Sequence, residues 1–327
     1  MASRRSGRRG KGGRGLATLA GGALLIGAGA AAYFYVSDSK VSQAAATVAE
    51  IVPDVSKMIS SREEKPAEPA SVQEPAGLAV VDSAISEAEG ALALEGRELE
   101  AGLRAGYAAL CPLLEGPLPL ADRERALRVF HEITRRLFLG PEHNEFNDNY
   151  TVRHGDSFAV IAHRAGISIN LLYDLNNRER GSRMIHAGDN LKLPRGRPCI
   201  VARKGDYTAS LYFGDKLVRQ YVIAHGRGDN TPEGQTAIKD MVKDPEKSSR
   251  GARDPVNEMR LRWIGLEAYA DARSGKPDKR TGFGFHGTIY PDSIGRMESR
   301  GCIRMRDADV IELYDICREG NKVEIRA

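Results

Sequence analysis

A histidine and a cysteine, His286 and Cys302, lie 16 residues apart near the carboxyl end of this chain. Cysteine attacks carbonyl carbon atoms as a thiolate, but an ordinary thiol has a pKa of about 8.5 and is mostly protonated at neutral pH. A neighbouring base or a group of cations lowers that pKa. The two residues therefore predict nucleophilic acyl transfer with His286 as the base, if folding brings their side chains together.

The residues that follow the cysteine decide its surroundings. If they form a strand, side chains alternate, so that Cys302, Arg304 and Arg306 lie on one face while Ile303 and Met305 pack into the core. The arginines then favour the thiolate and attract a substrate carboxylate. The alternative is a lone buried cysteine beside a run of solvated arginines, and this stretch alone does not separate the two interpretations.

The remaining cysteines and histidines show no spacing typical of a metal site. Cys111, Cys199 and Cys317 form no C-x-x-C pair, and the seven histidines form no H-x-x-x-H cluster. We therefore predict no metal and no cofactor, and we expect these cysteines to be small buried hydrophobic residues. His225 precedes a glycine and is interpreted as a turn histidine rather than as the base.

The elements that must position His286 and Cys302 are mostly strands. Apolar and β-branched runs predict strands at 199–203, 207–213, 217–224, 261–265, 282–286 and 321–326. One helix is predicted over 309–317, capped by Asp307 and followed by Gly320. Residues 198–327 are therefore predicted to form a mostly-β domain.

Three groups of residues in this domain resemble the L,D-transpeptidase catalytic domain of bacterial cell-wall enzymes. They are Thr231-Pro232-x-Gly234 with Ile238, His286-Gly287-Thr288, and Ser299-x-Gly301-Cys302-Ile303-Arg304-Met305. The family usually has histidine where Arg300 stands and an aromatic residue where Thr236 stands. A side-chain role of that histidine is therefore lost here, whereas backbone donors are unaffected.

The resemblance implies a role for each matched residue. Cys302 is the nucleophile and His286 the base, oriented by the carbonyl of Gly287. The N–H groups of Gly301 and Cys302 form the oxyanion hole. Arg304 either grips the substrate or braces the loop. The remaining residues of the motif region, which are Ser299, Arg300 and Thr288, are expected to contact the substrate.

The implied substrate is a tetrapeptide stem of peptidoglycan. Cys302 attacks the amide after the third residue, expels the terminal D-alanine and passes the acyl group to an amine. A diamino-acid side chain as acceptor gives a 3→3 cross-link, a protein lysine gives an anchored lipoprotein, and water gives an L,D-carboxypeptidase; the sequence leaves these open. Papain-like chain order and the wider Cys–His separation of sortases do not fit. A non-catalytic wall-binding protein with a decayed site at Arg300 is the alternative from another class.

Residues 149–194 carry a second pattern, of the order β-α-α-β. The run YTVRHGDSFAVIAHRAGISINLLYDLNN and the closing IHAGDNLKLP resemble a LysM domain, which binds N-acetylglucosamine-containing polymers. By this resemblance the glycan lies between the loop at Gly155, Asp156 and Ser157 and the loop after Asn176. Helix capping and turn geometry explain Asp156 and Ser157 equally well.

Upstream of that module, residues 79–140 show apolar stripes typical of two helices packed as a hairpin. The first stripe is Ile85, Leu92, Leu99, Leu103 and Leu110, and the second contains Leu127, Phe130, Leu137 and Phe138. We interpret this segment as a helical spacer. The heptad-like spacing also allows self-association through 79–140.

The amino-terminal residues predict a membrane anchor. A basic tip, 1–15, contains six cations and no acid, and 21 uncharged residues, 16–36, follow it. That length suits a transmembrane helix with its amino terminus in the cytoplasm. The catalytic domain then lies outside the cytoplasmic (inner) membrane, in the periplasm or cell-wall space, beyond a disordered linker at 37–78. A cleaved signal peptide ending near Ala28-Gly29-Ala30 is the alternative.

The charge of the whole chain is consistent with this organisation. Its net charge of +4 arises at the basic tip, so the folded domains present no general basic face for nucleic acid. The predicted architecture is multidomain: an N-terminal transmembrane helix, a helical spacer, a small α+β LysM (βααβ) domain and a mostly-β L,D-transpeptidase catalytic domain. Peptidoglycan and the inner membrane are the expected partners.

Overall fold

The computed structural model describes residues 77–245, 259–268 and 281–327, and the backbone of Ala23–Leu24, Phe34–Tyr35 and Ala270–Asp271. Ala23–Leu24 pairs antiparallel with Phe34–Tyr35. The basic tip, the rest of the predicted span at 16–36 and nearly all of the linker lie outside the described residues. Among the residues that the structure describes, none of the helices combines the length and hydrophobicity that a membrane span requires.

Three helices follow in the sequence and precede the strands of residues 147–326. They are α1 (Leu78–Leu92), α2 (Gly96–Glu115) and α3 (Leu120–Thr134), and a π-helical turn, Arg135–Leu139, continues α3. The prediction of two helices was therefore wrong, because this segment contains three. The helix is interrupted at residues 93–95. Gly96 adopts a φ of +57°, a left-handed conformation that glycine adopts without strain.

Close packing of these helices explains one of their glycines. A Cβ on Gly106 would lie 3.0 Å from the Cα of Ala88 and 2.8 Å from Cδ1 of Ile133, so a larger residue would push the three helices apart. The stripe residues Ile85, Leu103 and Leu110 are buried within the chain. The apolar stripe that suggested self-association is thus used for packing inside one molecule.

The next unit has the predicted order β-α-α-β. Strand β1 (Asn147–Thr151) pairs antiparallel with β2 (Asn190–Pro194), and α4 (Phe158–Ala165) and α5 (Ile169–Leu175) lie between them in sequence. Ser157 and Ser168 cap the two helices by accepting hydrogen bonds from the N–H groups of Val160 and Leu171. The capping interpretation of Ser157 is therefore confirmed. The predicted cap at Asp307 was wrong, because Asp307 is the first residue of its helix and its carboxylate accepts a hydrogen bond from the Thr288 N–H.

The carboxyl-terminal part is built on one large sheet. Its strands are β3 (Pro198–Arg203), β4 (Thr208–Phe213), β5 (Lys216–Val222), β7 (Gly234–Lys243), β8 (Arg260–Leu266), β9 (Ala270–Asp271), β10 (Gly284–Gly287), β12 (Ile303–Arg304) and β13 (Lys322–Arg326). The order is β12-β10-β8-β7-β13-β3-β4-β5, with β9 beside β7. Two short strands, β6 (His225–Gly226) and β11 (Met297–Ser299), form a separate parallel pair. Helix α6 (Asp307–Ile316) contacts β8 and β10.

The predicted helical spacer is present, and it docks on this sheet. Arg123 of α3 is 1% exposed, and its guanidinium donates hydrogen bonds to the Leu114 carbonyl at 2.7 Å and the Gly116 carbonyl at 3.0 Å. It also donates to Oε1 of Gln220 on β5 at 2.7 Å. Because a buried guanidinium is costly to leave without acceptors, these bonds hold helices and sheet in one arrangement.

Hydrogen bonds to backbone carbonyls join the β-α-α-β unit to the segments before and after it. The Ser168 N–H donates to the Ile316 carbonyl at 3.1 Å, and Nδ2 of Asn321 donates to the Gly166 carbonyl at 2.8 Å. On its other side, the fully buried Lys192 donates to the carbonyls of Gly140 and Glu142, each at 2.6 Å. The described residues from 77 onward consequently form one compact unit.

One carboxylate at the junction of α3 and α6 makes stability depend on pH. Asp309 lines a cavity of about 290 Å³ there, and burial, with Glu312 and Glu124 nearby, raises its pKa to about 6 against the opposing effect of Arg306. The folded state therefore binds this proton more tightly than the unfolded state, and stability is lost as the pH rises through about 6. We expect Asp309→Asn to raise the free energy of unfolding at pH 7.5 by about 1–3 kcal/mol.

Urea unfolding at pH 7.5 and pH 4 measures this effect. At pH 4 wild type and Asp309→Asn should be nearly equal, because the native carboxyl is already protonated. Asp215→Asn is the control, since Asp215 is exposed and its pKa is lowered by a hydrogen bond from Lys216. A gain in Asp309→Asn that is the same at both pH values would contradict the assignment.

Candidate active site

His286 lies on β10, between β8 and β12, and is 4% exposed. Its Nδ1 is 2.6 Å from the carbonyl oxygen of Gly287. A carbonyl only accepts hydrogen bonds, so Nδ1 carries the proton and Nε2 is the nitrogen that can accept one. The contact has the form that the family resemblance implied for the base.

A tryptophan forms one wall beside this histidine. The rings of Trp263 and His286 stack with centroids 6.0 Å apart and an interplanar angle of 25°. Nε1 of Trp263 donates to Oδ1 of Asp240 at 2.8 Å, which fixes the indole. Trp263 was not among the site residues predicted from the sequence, although it is the only tryptophan of the chain and lies in a predicted strand.

Cys302 immediately precedes β12, and the register of that strand indicates that its thiol faces the side of the sheet on which His286 lies. In the parallel pair of β10 and β12, Phe285 lies beside Ile303 and His286 beside Arg304. Alternation along β12 then directs Cys302 and Arg304 to the imidazole face and Ile303, 2% exposed, into the core. The Sγ of Cys302 is 3.7 Å from the Gly282 carbonyl, and the residue is half-buried.

The hydroxyl of Ser299 holds the turn before the cysteine. It accepts a hydrogen bond from the Gly301 N–H at 3.1 Å and donates one to the Cys302 carbonyl at 2.5 Å. Ser299 is 2% exposed, and its hydroxyl braces the loop; its contact with substrate stays a prediction. This bond engages the Gly301 N–H within the loop, and the oxyanion hole of the Gly301 and Cys302 N–H groups stays a prediction.

A threonine from a distant loop clamps the same turn. Oγ1 of Thr231, a residue 1% exposed, donates to the Gly301 carbonyl at 2.7 Å and accepts from the Gly226 N–H at 2.8 Å. Beside it, Nδ2 of Asn230 donates to the Arg300 carbonyl at 2.6 Å. The sequence showed Thr231 as part of a motif, but only the fold shows what its hydroxyl binds.

Gly301 can only be glycine in this arrangement. Its φ is +142°, and an added Cβ would lie 2.5 Å from Cε1 of Phe283. A side chain at this position would strain the backbone and displace the aromatic ring. The motif glycine thus permits the tight turn that presents Cys302.

Arg300, Arg304 and Arg306, which lie near Cys302 in sequence, have different surroundings in the fold. Arg304 is 6% exposed, its guanidinium lies 5.3 Å from the ring centre of Tyr290, and Nη1 donates to the Glu298 carbonyl at 3.5 Å. Arg300 is exposed. Arg306 does not share their face as predicted, because α6 begins at Asp307 and ends the alternation; its guanidinium instead pairs with Glu124 of α3.

Gly287 is the last residue of β10, and Thr288, which follows it, forms hydrogen bonds with neighbouring residues. The Thr288 N–H donates to Oδ1 of Asp307 at 3.2 Å, and Asp307 also pairs with Arg260 at 3.2 Å. Oγ1 of Thr288 accepts from the Tyr290 N–H at 3.0 Å. The Thr288 hydroxyl therefore shapes the loop after the histidine, where we had predicted a substrate contact.

The other thiols and the second glycine-preceding histidine have different surroundings. Burial raises the pKa of Cys111 to about 11 and also raises the pKa of Cys199 and Cys317, which keeps these free thiols protonated. Buried His225 stacks on Tyr207 at 5.2 Å, and burial lowers its pKa. We therefore assign none of these four residues as the nucleophile or as the base.

In the β-α-α-β unit, the predicted glycan loop is held by its own side chains. The Asp156 carboxylate accepts from the Tyr150 hydroxyl at 2.7 Å, the Arg153 N–H at 2.9 Å and Arg164 at 2.8 Å, and the tyrosine bond is the main cause of its lowered pKa. Ser157 caps α4. Of the two interpretations, turn and capping geometry accounts for both side chains. Gly155, with a φ of +85° and open space around it, leaves the loop backbone accessible.

Comparison with known proteins separates the chain into the same two modules. Residues 197–325 match the family model of the L,D-transpeptidase catalytic domain, YkuD, and residues 150–194 match that of the LysM domain. YqjB of Bacillus subtilis (strain 168), whose name places it among the L,D-transpeptidases, is 31% identical over 134 residues, 40% of this chain and 72% of its own length. YkuD of Bacillus licheniformis, similarly named, is 30% identical over 183 residues, 54% of this chain and 97% of its own length.

Proposed function

This chain belongs to the L,D-transpeptidase family, and we propose that it is a membrane-anchored enzyme that cuts and rejoins peptidoglycan stems through Cys302. Its activity class follows from the family, and its LysM domain implies peptidoglycan binding. The observation that carries the catalytic assignment is the Nδ1 contact of His286 with the Gly287 carbonyl on the strand beside Cys302. It leaves Nε2 as the base on the face to which the thiol points.

The proposed reaction has two acyl-transfer steps. Nε2 of His286 takes the thiol proton, and the Cys302 thiolate attacks the carbonyl carbon of the third residue of a tetrapeptide stem. The C–N bond to the terminal D-alanine breaks, the amine leaves with the proton from His286, and a thioester remains. An acceptor amine, deprotonated by His286, then attacks the thioester, which forms the new amide and returns the thiol.

Charge that develops on the stem carbonyl oxygen needs a hydrogen-bond donor. We assign this role to the Cys302 N–H, because the Gly301 N–H is bonded to Ser299. One such donor typically contributes about 2.7–4 kcal/mol to transition-state stabilisation. The Ser299 and Thr231 hydroxyls support the role by fixing the peptide groups on either side of Gly301.

The LysM unit is proposed to hold the glycan strand at a set distance from the thiol. Its contacts with the catalytic domain include an ion pair between Arg180, in the loop after α5, and Asp315 of α6 at 2.8 Å. A docked glycan-binding unit raises the local concentration of stems at Cys302 without changing the chemistry. This proposal uses the backbone of the Gly155 loop and the loop after Asn176, since the side chains of Asp156 and Ser157 are engaged.

We also propose that residues 16–36 anchor the chain once in the cytoplasmic membrane. The support is the sequence: 21 uncharged residues follow six cations, which favours a cytoplasmic amino terminus. The catalytic domain then works in the periplasm or cell-wall space, where peptidoglycan is present. No partner for self-association is proposed.

Purified tetrapeptide muropeptides test the function directly. Incubation with the full-length chain should yield cross-linked dimers, or tripeptides with free D-alanine if water is the acceptor, and mass spectrometry distinguishes the two. Adding a free diamino acid should divert the acyl group to that amine if the chain is a transpeptidase. Unchanged tetrapeptides under all conditions would contradict the proposal and favour a wall-binding protein without catalysis.

A further inference from the structure

A cavity of about 460 Å³ opens beside the loop that ends at Cys302. Three arginines from three parts of the chain line it: Arg227, Arg300 and Arg304. Two carboxylates, Asp292 and Glu298, line it as well, and Glu298 also lies 3.7 Å from Arg296, outside the cavity. Among the described residues that line the cavity, three are cations and two are carboxylates.

The three guanidinium groups occupy different depths. Arg304 is almost buried, where a positive charge attracts an anion more strongly than it does in bulk water. Arg227 is exposed and, in the part of the chain that the structure describes, belongs to no ion pair. Arg300 is exposed too, and its backbone is fixed because its carbonyl accepts a hydrogen bond from Asn230 at 2.6 Å. Arginine remains charged at all physiological pH values and binds carboxylates through two parallel N–H groups.

The cavity adjoins the loop that leads to the nucleophile, and Ser299 and Arg300 of that loop line it. The Ser299 hydroxyl donates to the Cys302 carbonyl at 2.5 Å. A group bound in the cavity therefore contacts the loop that carries the nucleophile. Arg300 occupies the position where the family usually has histidine, so this chain has a permanent charge at a place where a neutral imidazole is usual near pH 7.

We propose that this cavity binds a carboxylate of a peptidoglycan stem, with Arg300 and Arg227 as the residues that determine the preference for an anion. The inference rests on the proposed function and specifies its substrate. A stem offers a carboxylate in two places: on the terminal D-alanine of the acyl donor, and on a diamino acid that carries one beside its amine. Both share the chemistry that the arginines recognise.

Binding to the inactive full-length variant Cys302→Ala isolates recognition from turnover. Isothermal titration would compare three tetrapeptides: one with both carboxylates, one amidated at the terminal D-alanine and one amidated at the diamino acid. We expect one of the two amides to bind roughly tenfold more weakly, and that amide identifies the carboxylate that occupies the cavity.

Charge removal on the protein completes the test. In the Cys302→Ala background, Arg300→Gln and Arg227→Gln should each reduce the preference for that carboxylate at least threefold, and the pair should abolish it. Arg195→Gln, which removes an exposed arginine paired with Asp148 in the LysM unit, should leave the preference unchanged. Thermal unfolding of each variant shows whether it is folded.

Two outcomes would overturn the inference. One is equal binding of all three peptides, or binding of none; the other is a preference that survives both arginine substitutions. Failure of the proposed function is seen separately. If wild type released no D-alanine while the carboxylate preference of Cys302→Ala persisted, the enzymatic assignment would be wrong and the anion site would stand.

Discussion

Cys302→Ala should lower the release of D-alanine from tetrapeptide stems by roughly 10⁴–10⁶-fold, because loss of the nucleophile removes the covalent route. The fold should persist, because Cys302 is half-buried and its contact with the Gly282 carbonyl is long, at 3.7 Å. Intact-mass measurement during turnover should show wild type carrying the stem less D-alanine, and Cys302→Ala carrying nothing.

Cys199→Ala is the matched control for this substitution. Cys199 is also half-buried, but burial raises the pKa of its thiol, and it lies on β3 with no histidine beside it in the register of that strand. This variant should keep both the activity and the covalent adduct. Product formation by Cys302→Ala at the wild-type rate, or an adduct that disappears in Cys199→Ala, would refute the assignment of the nucleophile.

Thr231→Val should reduce kcat/KM by about 30–1000-fold although Thr231 is not proposed to touch substrate. Valine keeps the shape but leaves the Gly301 carbonyl and the Gly226 N–H without their bonds to Oγ1. Each unpaired buried group costs about 1–3 kcal/mol. The turn before Cys302 then relaxes, and the thiol and the Cys302 N–H lose their alignment; tenfold in rate corresponds to about 1.4 kcal/mol. Steady-state kinetics on tetrapeptides measures the change.

The fold supplies a control for Thr231→Val that makes the same change elsewhere. Thr208 on β4 is likewise 1% exposed, but its hydroxyl has no hydrogen-bond partner among the described residues. Thr208→Val should therefore leave kcat/KM unchanged. Thr231→Ser, which restores a hydroxyl, should recover most of the activity. A loss of activity in Thr208→Val equal to that in Thr231→Val would show that burial of valine, and not the clamp, is responsible.

Local patterns predicted the elements around the site well. Alternation predicted that Ile303 and Met305 enter the core, and both are at most 2% exposed. The capping interpretation of Ser157 is likewise confirmed, because its hydroxyl accepts from the Val160 N–H. Such signals succeed because a strand's two faces and a helix's first N–H groups impose their requirements within a few residues.

Predictions that needed distant contacts were the ones that failed. Arg306 was placed on the thiol face, but α6 begins one residue later and turns it toward Glu124, 182 residues away in sequence. The helical spacer is present as predicted, but its docking on the sheet, where Arg123 binds Gln220 97 residues away, was not predicted. No local periodicity encodes either pairing.

The sequence by itself determined the reacting residue types and the class of scaffold: a cysteine and a histidine in a mostly-β domain, preceded by a β-α-α-β module. The tertiary structure decided how that chemistry is held. It engages the Gly301 N–H with Ser299, clamps the same turn from Thr231 across 70 residues, and gathers three arginines into one cavity. The physical reason is that residue type and period are local properties, whereas the partner of a hydroxyl or guanidinium depends on which segments the packed core brings together.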